Sequence, residues 1–481
     1  MARSVSTALY AAISLVLVAA AFALADRGEL GRQSFKAFYC AGRAVIERRD
    51  PYLVEPLRSC EQSVAGGTMT HGEVEPAPLP GYALAPFALL AVLPPRFAAI
   101  LFALALAFAT ILSADLMARI IRAPPAAVLF AFVPLSLLNI AYGEIPPIAV
   151  LALCAAAYFL VRERWTAAGV LVSLALFQPN VGVPAAIAVL VFVPGSRLSI
   201  AASMLALAAI SILTTGFAHN VEYFTAVLPL QAGSELAASD QYSLGHALYA
   251  AGLSAANSLF LAKLSFALMT AFGITLAGII AGRRNAREFL PLLPAAAVLF
   301  GGIYVHDIQM LFALPAALLI AARSRGRRYA TMSAAALAFL IAVWTQRAAR
   351  SALFVDAVGV AGGLFAVLRA PIGRRITQAA LAAVATAACL VMLQRVEAPT
   401  TGNQIVTGSF TTSSREFAPA AWAQFLQATP ALRRTVFVLK IPTWLALITL
   451  IACALQMCVT RDMTGALETA ELPQASPLRI A

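Results

Sequence analysis

Six charged or imidazole side chains stand where a soluble core could not use them. Asp26 and Glu29 follow directly on an unbroken apolar run, and Lys36 and Arg43 come 7 and 14 residues after Glu29. Far downstream, His306 and Asp307 form an adjacent pair in the turn YVHDIQ, between two apolar segments. Carboxylates and imidazoles near neutral pH move protons. Lysine, arginine and imidazolium hold anions, phosphates above all. Ionisable residues at the edge of apolar spans are functional candidates by default. The richest stretch is GRQSFKAFYCAGRAVIERRDPYLVEPL, residues 31–57. Of the chain's 34 Lys and Arg and 22 Asp and Glu, thirteen lie between Asp26 and Gln62.

The elements that must position these groups are membrane helices. The chain has 481 residues, of which 61% are apolar and only 12% charged, against about 45–50% and about 25% for soluble domains. Apolar segments recur at 6–25, 96–118, 124–141, 145–161, 165–178, 181–195, 198–216, 257–281, 288–304, 308–322, 329–345, 351–368, 374–393 and 436–459. Their length matches the roughly 20 residues that cross a bilayer, and backbone in lipid must satisfy itself within a helix. The expectation is an all-α polytopic membrane protein with about 12–14 transmembrane helices. The two short segments 165–178 and 181–195 could instead form one re-entrant pair.

Orientation follows from arginine. With the N-terminus inside, the inner turns are RIIRAPP, VRERW, PGSRLS, GRRNARE, RSRGRRY and LRAPIGRR, each carrying Arg. The opposite turns AYGEIPP, LFQPN and YVHDIQ carry none, and TQRAARS, with Arg347 and Arg350, is the exception. This is the positive-inside pattern, and it accounts for the net charge of +12 without any nucleic acid. The first apolar run ends in Ala23 and Ala25, small residues that suit either a signal-peptidase site or a retained helix. Both readings put residue 26 onward outside. Three long polar loops then fall on that outer side, at 26–81, 217–256 and 394–435. Glu144, Gln178, His246, His306 and Asp307 fall there too.

From Ser34 to Arg48, Phe35, Phe38, Tyr39, Gly42, Val45 and Ile46 recur at helical steps opposite Lys36, Cys40, Arg43 and Glu47. This pattern predicts an amphipathic helix lying in the outer interface, its rings in lipid, ended by RRDPY. Its basic face would hold an anionic headgroup beside a reaction centre.

The order of FYCAGRAV, DPY, PLPGYALAPFALLAVLP, NIAYGEIPPIAVL, the Phe177-Gln178-Pro179 triplet and YVHD resembles glycosyltransferase family 87, a group in the GT-C superfamily. The likeness runs from the first helix to about residue 325. It implies a GT-C-like transmembrane domain, which with the apolar spans is taken over 1–435, followed by a last transmembrane helix at 436–459 and a cytoplasmic tail at 460–481. It further implies transfer of a sugar, mannose by preference, from a polyprenyl-phosphate donor to a glycolipid or glycan acceptor. The reaction would invert the anomeric carbon on the extracytoplasmic face of a bacterial plasma membrane. Such a donor is already activated, so no cofactor is expected, and no GxGxxG or P-loop context occurs.

One departure matters. The family's usual aspartate before the FY pair is Ser34 here, and a serine hydroxyl is no general base. Asp26 or Glu29 would take that role, Asp50 being the next candidate, although in DPY it suits a turn. Arg43, Lys36 and His306 would face the departing phosphate, and Tyr39 and Tyr52 would line the donor site. Glu144 would bind a sugar hydroxyl. Gln178 stands where a lysine is expected, and His246 and Asp307 read equally as structural, Asp307 as a helix cap. An inactive paralogue, a transporter or a flippase is the alternative.

Four histidines on separate segments lack paired spacing and no CxxC occurs, so no metal is expected; His71 and His219 read as solvated loop residues. Cys154, Cys389, Cys453 and Cys458 read as small core residues. Cys40 and Cys60 share the first outer loop, where a disulfide would contribute about 3 kcal/mol by chain entropy. Asp115 should pair with Arg119 one turn on, and the Gly/Pro-rich stretch GGTMTHGEVEPAPLPG should order on substrate binding.

Overall fold

The computed structural model describes residues 2–30, 34–65, 73–344, 350–396, 412–428 and 437–459. Every regular element among them is helical. In chain order they are α1 (Ala2–Asp26), α2 (Phe35–Ile46), α3 (Val54–Val64), α4 (Gly81–Leu90), α5 (Pro95–Ile121), α6 (Pro125–Tyr142), α7 (Pro146–Val161), α8 (Trp165–Leu174), α9 (Pro179–Phe192) and α10 (Arg197–Glu222). There follow α11 (Leu228–Ser234), α12 (Leu244–Ala250), α13 (Ala255–Arg284), α14 (Phe289–Gly301), α15 (Ala313–Arg323), α16 (Arg327–Ile341), α17 (Arg350–Val367), α18 (Ile372–Val396), α19 (Ala418–Ala428) and α20 (Phe437–Val459). Prolines 95, 125, 146 and 179 open four of these helices, where the missing N–H costs nothing.

Each expected span falls on a helix. Seven are long and apolar enough to cross a membrane on their own: Thr7–Asp26, Pro95–Ile121, Pro125–Tyr142, Pro194–Ala237, Ala255–Arg284, Ile372–Met392 and Phe437–Val459. The chain is a multi-pass membrane protein. The helices at the other expected spans are shorter, and several lie almost wholly inside protein, as α14 and α15 do. A helix shielded by its neighbours need not match the full thickness of lipid. The reading passed over α4, whose ten residues lie in the motif PLPGYALAPFALLAVLP.

The two ends of the bundle differ. One carries the arginine turns, closed by local bonds: Arg119 to Asp115 at 2.7 Å, Arg323 to Glu288 at 2.7 Å, Arg284 to the Met457 carbonyl at 2.8 Å, and Arg287 over the Trp165 ring at 4.7 Å. The other gathers α2, α3, α11, α12 and α19.

On this second end the structure corrects the interfacial helix. Helix α2 does not lay its rings in lipid. Phe35, Phe38 and Tyr39 are buried, with Phe35 stacked on Phe102 of α5 and Phe38 against Phe87 of α4. The opposite face is covered as well. Lys36 is buried in an ion pair with Glu75 at 2.9 Å, and Cys40 is joined to Cys60 of α3 by the expected disulfide. A helix whose charge and thiol are both satisfied by protein gains nothing from the interface. Only its far end stays wet, where Arg43 pairs with Glu47.

The segment expected as an outer loop at 217–256 is largely helical too. Helix α10 kinks at Gly216 (φ +81°) and runs on through a π-turn at Tyr223–Val227 into α11. From the loop at 394–435, Ser414 and Glu416 carbonyls accept from Glu55 and Val54, and the Tyr52 carbonyl accepts from Ala418. Residues 397–411 and 429–436 of that loop, 66–72 of the Gly/Pro-rich stretch with His71, Arg347, and the tail 460–481 lie outside the described residues. Cys154, Cys453 and Cys458 are buried, whereas Cys389 is exposed on α18.

Gly42 tests the seating of α2. A Cβ there would stand 2.4 Å from the Phe87 carbonyl carbon, so the two helices touch through backbone. Gly42→Val should cost about 1–3 kcal/mol, read as a lowered melting temperature in detergent.

Candidate functional site

The second end holds a recess built from three turns that are distant in sequence. Residues 304–307 run into a 3₁₀ turn (Asp307–Phe312) ahead of α15, so extended backbone there is free to pair. It pairs with residues 241–242: the Tyr242 N–H donates to the Val305 carbonyl at 2.6 Å, and Val305 N–H to Gln241 Oε1 at 3.0 Å. The α6–α7 turn enters from the side. There Gly143 (φ +69°) caps α6, and a Cβ on it would meet Phe35 at 2.6 Å. Only glycine allows that turn and that approach together.

His306 is the hub. Its Nδ1 lies 2.7 Å from Asp240 Oδ2, and its Nε2 lies 2.8 Å from the Gln241 amide nitrogen and 3.5 Å from Glu235 Oε2. The Tyr304 ring stands edge-on at 4.5 Å. Burial alone would discharge the imidazole, but Asp240 and then Glu235 outweigh it and push it up to about 10. Burial would likewise raise Asp240, and the facing imidazolium draws it down to about 2. The Gln241 amide is pinned by Val305 N–H, so it offers its NH₂ to Nε2. A neutral ring accepts that bond, whereas a charged ring must turn its Nε2–H towards Glu235. Nε2 is therefore the atom at which a proton can come and go.

Two further carboxyls line the recess. Glu235 Oε1 accepts from Gln231 at 2.9 Å and from Trp422 Nε1 at 3.0 Å. Burial raises Glu144 to about 7, against a hydrogen bond from Ser34 and the charge of His306. Tyr304 feels Glu235, Glu144, Asp240 and Glu75 together, which puts four carboxyls around one phenol. The recess is not sealed, since the Asp240 side chain is 49% exposed and Glu144 and Tyr304 are only half-buried.

A second layer fixes these groups. Lys440 of α20, fully buried, donates to the Gln241 carbonyl at 2.6 Å and faces His246 Nε2 at 3.1 Å. Burial, followed by Lys440, lowers His246 to about 4. The ring is thus neutral, accepting from Lys440 at Nε2 and donating from Nδ1 to the Leu236 carbonyl at 2.9 Å. Asn139 donates to the Ile308 carbonyl and Asn180 to that of Tyr304.

Among the residues singled out from sequence, the recess unites Glu144 with His306. Gln178 stands at the start of α9, two residues before Asn180, whose amide reaches the Tyr304 carbonyl. Asp307 is buried, its Oδ1 accepting from Ile308 N–H, while the cap position itself falls to His306. The others are engaged elsewhere. Asp26 pairs with Arg96 at 2.5 Å on the surface, and Glu29 is half-buried in the turn after α1. Lys36, expected to face a phosphate, is instead buried among Glu75, Glu73 and Glu61, which hold it well above the lysine range against burial. Tyr39 and Tyr52 donate their hydroxyls to the Leu93 and Leu79 carbonyls. Asp50 accepts from Tyr52 N–H and faces His219, which sits on the end of α10 and not in a loop. The sequence reading missed Glu75, Glu235, Asp240, Gln241, Tyr304, Trp422 and Lys440. Glu235 and Asp240 stand within eleven residues before the candidate His246, and Lys440 was visible as a lone charge inside an apolar span.

A helical multi-pass bundle with a polar, partly open recess at one end is the frame of a membrane-embedded enzyme. Residues 80–305 match the family model of glycosyltransferase family 87. The match spans α4 to Val305, so it contains Glu144, Glu235, Asp240, Gln241 and Tyr304 and stops one residue before His306. It supports a membrane glycosyltransferase. No curated protein and no solved structure matches the chain.

The His306–Asp240 pair has a signed consequence. A histidine raised on folding stabilises fully below about 6.5 and loses that contribution as pH climbs through about 10. A lowered aspartate stabilises above about 3.8 and loses it as pH falls through about 2. The melting temperature of Asp240→Asn should therefore lie furthest below wild type near pH 6. The gap should narrow as pH rises to 10, because the other titrating groups are common to both proteins.

Proposed function

We propose that the chain transfers a sugar from a polyprenyl-phosphate donor to an acceptor hydroxyl at the end of the bundle that carries the recess. That end is read as the extracytoplasmic face of a bacterial plasma membrane, from the arginine-rich turns at the opposite end. The observation that carries the reading is the meeting of Glu144 and His306 in one accessible recess, in or next to the family-matched stretch.

The base is Glu144. Ser34, at the family's aspartate position, hydrogen-bonds to Glu144, so the carboxylate absent from α2 is supplied from the α6–α7 turn. A carboxyl held near 7 is ionised often enough at neutral pH to accept a proton and basic enough to keep it. The acceptor oxygen attacks the anomeric carbon, its proton passing to Glu144. The bond from that carbon to the phosphate oxygen breaks on the opposite face, which inverts the centre and releases polyprenyl phosphate. His306 offers charge and its Nε2–H to the departing phosphate. Asp240 orients the ring. Mannose is the favoured sugar and a glycolipid or glycan the favoured acceptor.

The test is transfer by purified protein in nanodiscs, with radiolabelled polyprenyl-phosphate mannose and a membrane lipid extract. Glu144→Gln should lower turnover on the order of 10²–10⁴-fold, while Asp26→Asn and Glu29→Gln stay near wild type. Wild-type kcat/KM should rise with pH through about 7, as Glu144 ionises. Full activity in Glu144→Gln would remove the assigned base. No turnover with any polyprenyl-phosphate sugar would remove the function and leave an inactive paralogue or a transporter.

A further inference from the structure

A second constellation lies on the same end, away from His306. Asp50, in the DPY turn after α2, meets His219 and Glu222 from the last turn of α10. His219 Nδ1 is 2.7 Å from Glu222 Oε2 and 3.5 Å from Asp50 Oδ2, and the three ligand atoms all lie within 4.8 Å of one another. Two carboxylates thus converge on one imidazole, with no arginine or lysine paired to either among the described residues. We infer that Asp50, His219 and Glu222 form a binding site for a divalent transition-metal ion, zinc by its donor set.

The spacing suits such an ion. Zinc bonded at about 2.0–2.1 Å sets neighbouring donor atoms about 3.4 Å apart in a tetrahedron. Two of the three observed separations, 2.7 and 3.5 Å, bracket that value. The ion replaces the proton that His219 Nδ1 now shares with Glu222, a lone pair for each bond, and the partly exposed His219 and Glu222 side chains can adjust around it. The donors are also aimed in advance. Asp50 Oδ1 is held by Tyr52 N–H at 2.8 Å, which leaves Oδ2 to face His219. Asn220, one residue past His219, is fixed by the Ser211 and Gly216 carbonyls at 3.1 and 2.7 Å. His219 and Glu222 side chains are 35% and 44% exposed, so three protein ligands leave at least one position to water, as open zinc sites do. Sequence spacing hid the site, because it joins residues 169 positions apart through one i,i+3 pair. The bound ion would tie the first outer segment to α10. This inference does not depend on glycosyl transfer.

The test uses Zn²⁺ alone, titrated by calorimetry into the chelator-treated full-length protein in detergent. Wild type should take up one equivalent and gain melting temperature. Glu222→Gln and His219→Gln should weaken binding at least about 100-fold, since even outer-shell partners are worth 10–100-fold. His306→Gln should bind as wild type does, which excludes the Asp240–His306–Glu235 group as the ligand set. If His219→Gln fails to purify, the more exposed Glu222→Gln decides. Absence of uptake, or uptake that survives Glu222→Gln and is lost in His306→Gln, overturns the proposal.

Discussion

A charged imidazole inside a helical bundle exists only where carboxylates face it. His306 is such a group, and Asp240 at 2.7 Å with Glu235 at 3.5 Å are the reason it keeps its proton against burial. The rest of the recess is arranged around that pairing. Asp240 and Glu235 reach His306 only because the 235–242 turn lies along 304–306, and the turn lies there because Tyr242, Val305 and Gln241 exchange hydrogen bonds. Lys440 then holds the Gln241 carbonyl, so a cation in α20 fixes the backbone that fixes the anion. In low dielectric such a chain is costly to leave half-made, which makes it all-or-none.

A second buried charge does the same service for the opening stretch. Lys36 carries α2 inward because Glu75 and Glu73 meet it there, and the Cys40–Cys60 bond fastens α3 behind it. With α2 drawn inward, Phe35 comes against Gly143, and Ser34 reaches Glu144. The ion pair is thus structural in place but bears on chemistry, since it sets one wall of the recess. Charge used this way cannot also hold a substrate phosphate.

Hydropathy made the helical spans legible, because a bilayer asks for about 20 apolar residues at a time. The Asp115–Arg119 pair followed from local spacing, and the disulfide from two cysteines in one outer loop. His306 and Glu144 were legible as ionisable residues at span edges. What stayed hidden was pairing. Nothing in the periodicity of α2 says whether its polar face meets water or Glu75. Asp240 and Glu235 looked like loop residues because their partner lies more than 60 positions away. The gathering of Asp50, His219 and Glu222 was invisible for the same reason. Lys440 was read as part of an apolar span, although a lone lysine there must find a partner.

The place of Lys440 in the chain has a bearing on biogenesis. Helix α20 is the last described helix and supplies the amine that Gln241 and His246 require. Helices made earlier can insert and pack as they emerge, but the Gln241 carbonyl and the His246 imidazole wait for an amine 199 and 194 positions further on. Insertion of α20 therefore locks the recess, and a chain in which α20 has not yet inserted would carry the other polar groups of the site in an unlocked state, open to recognition as unfinished.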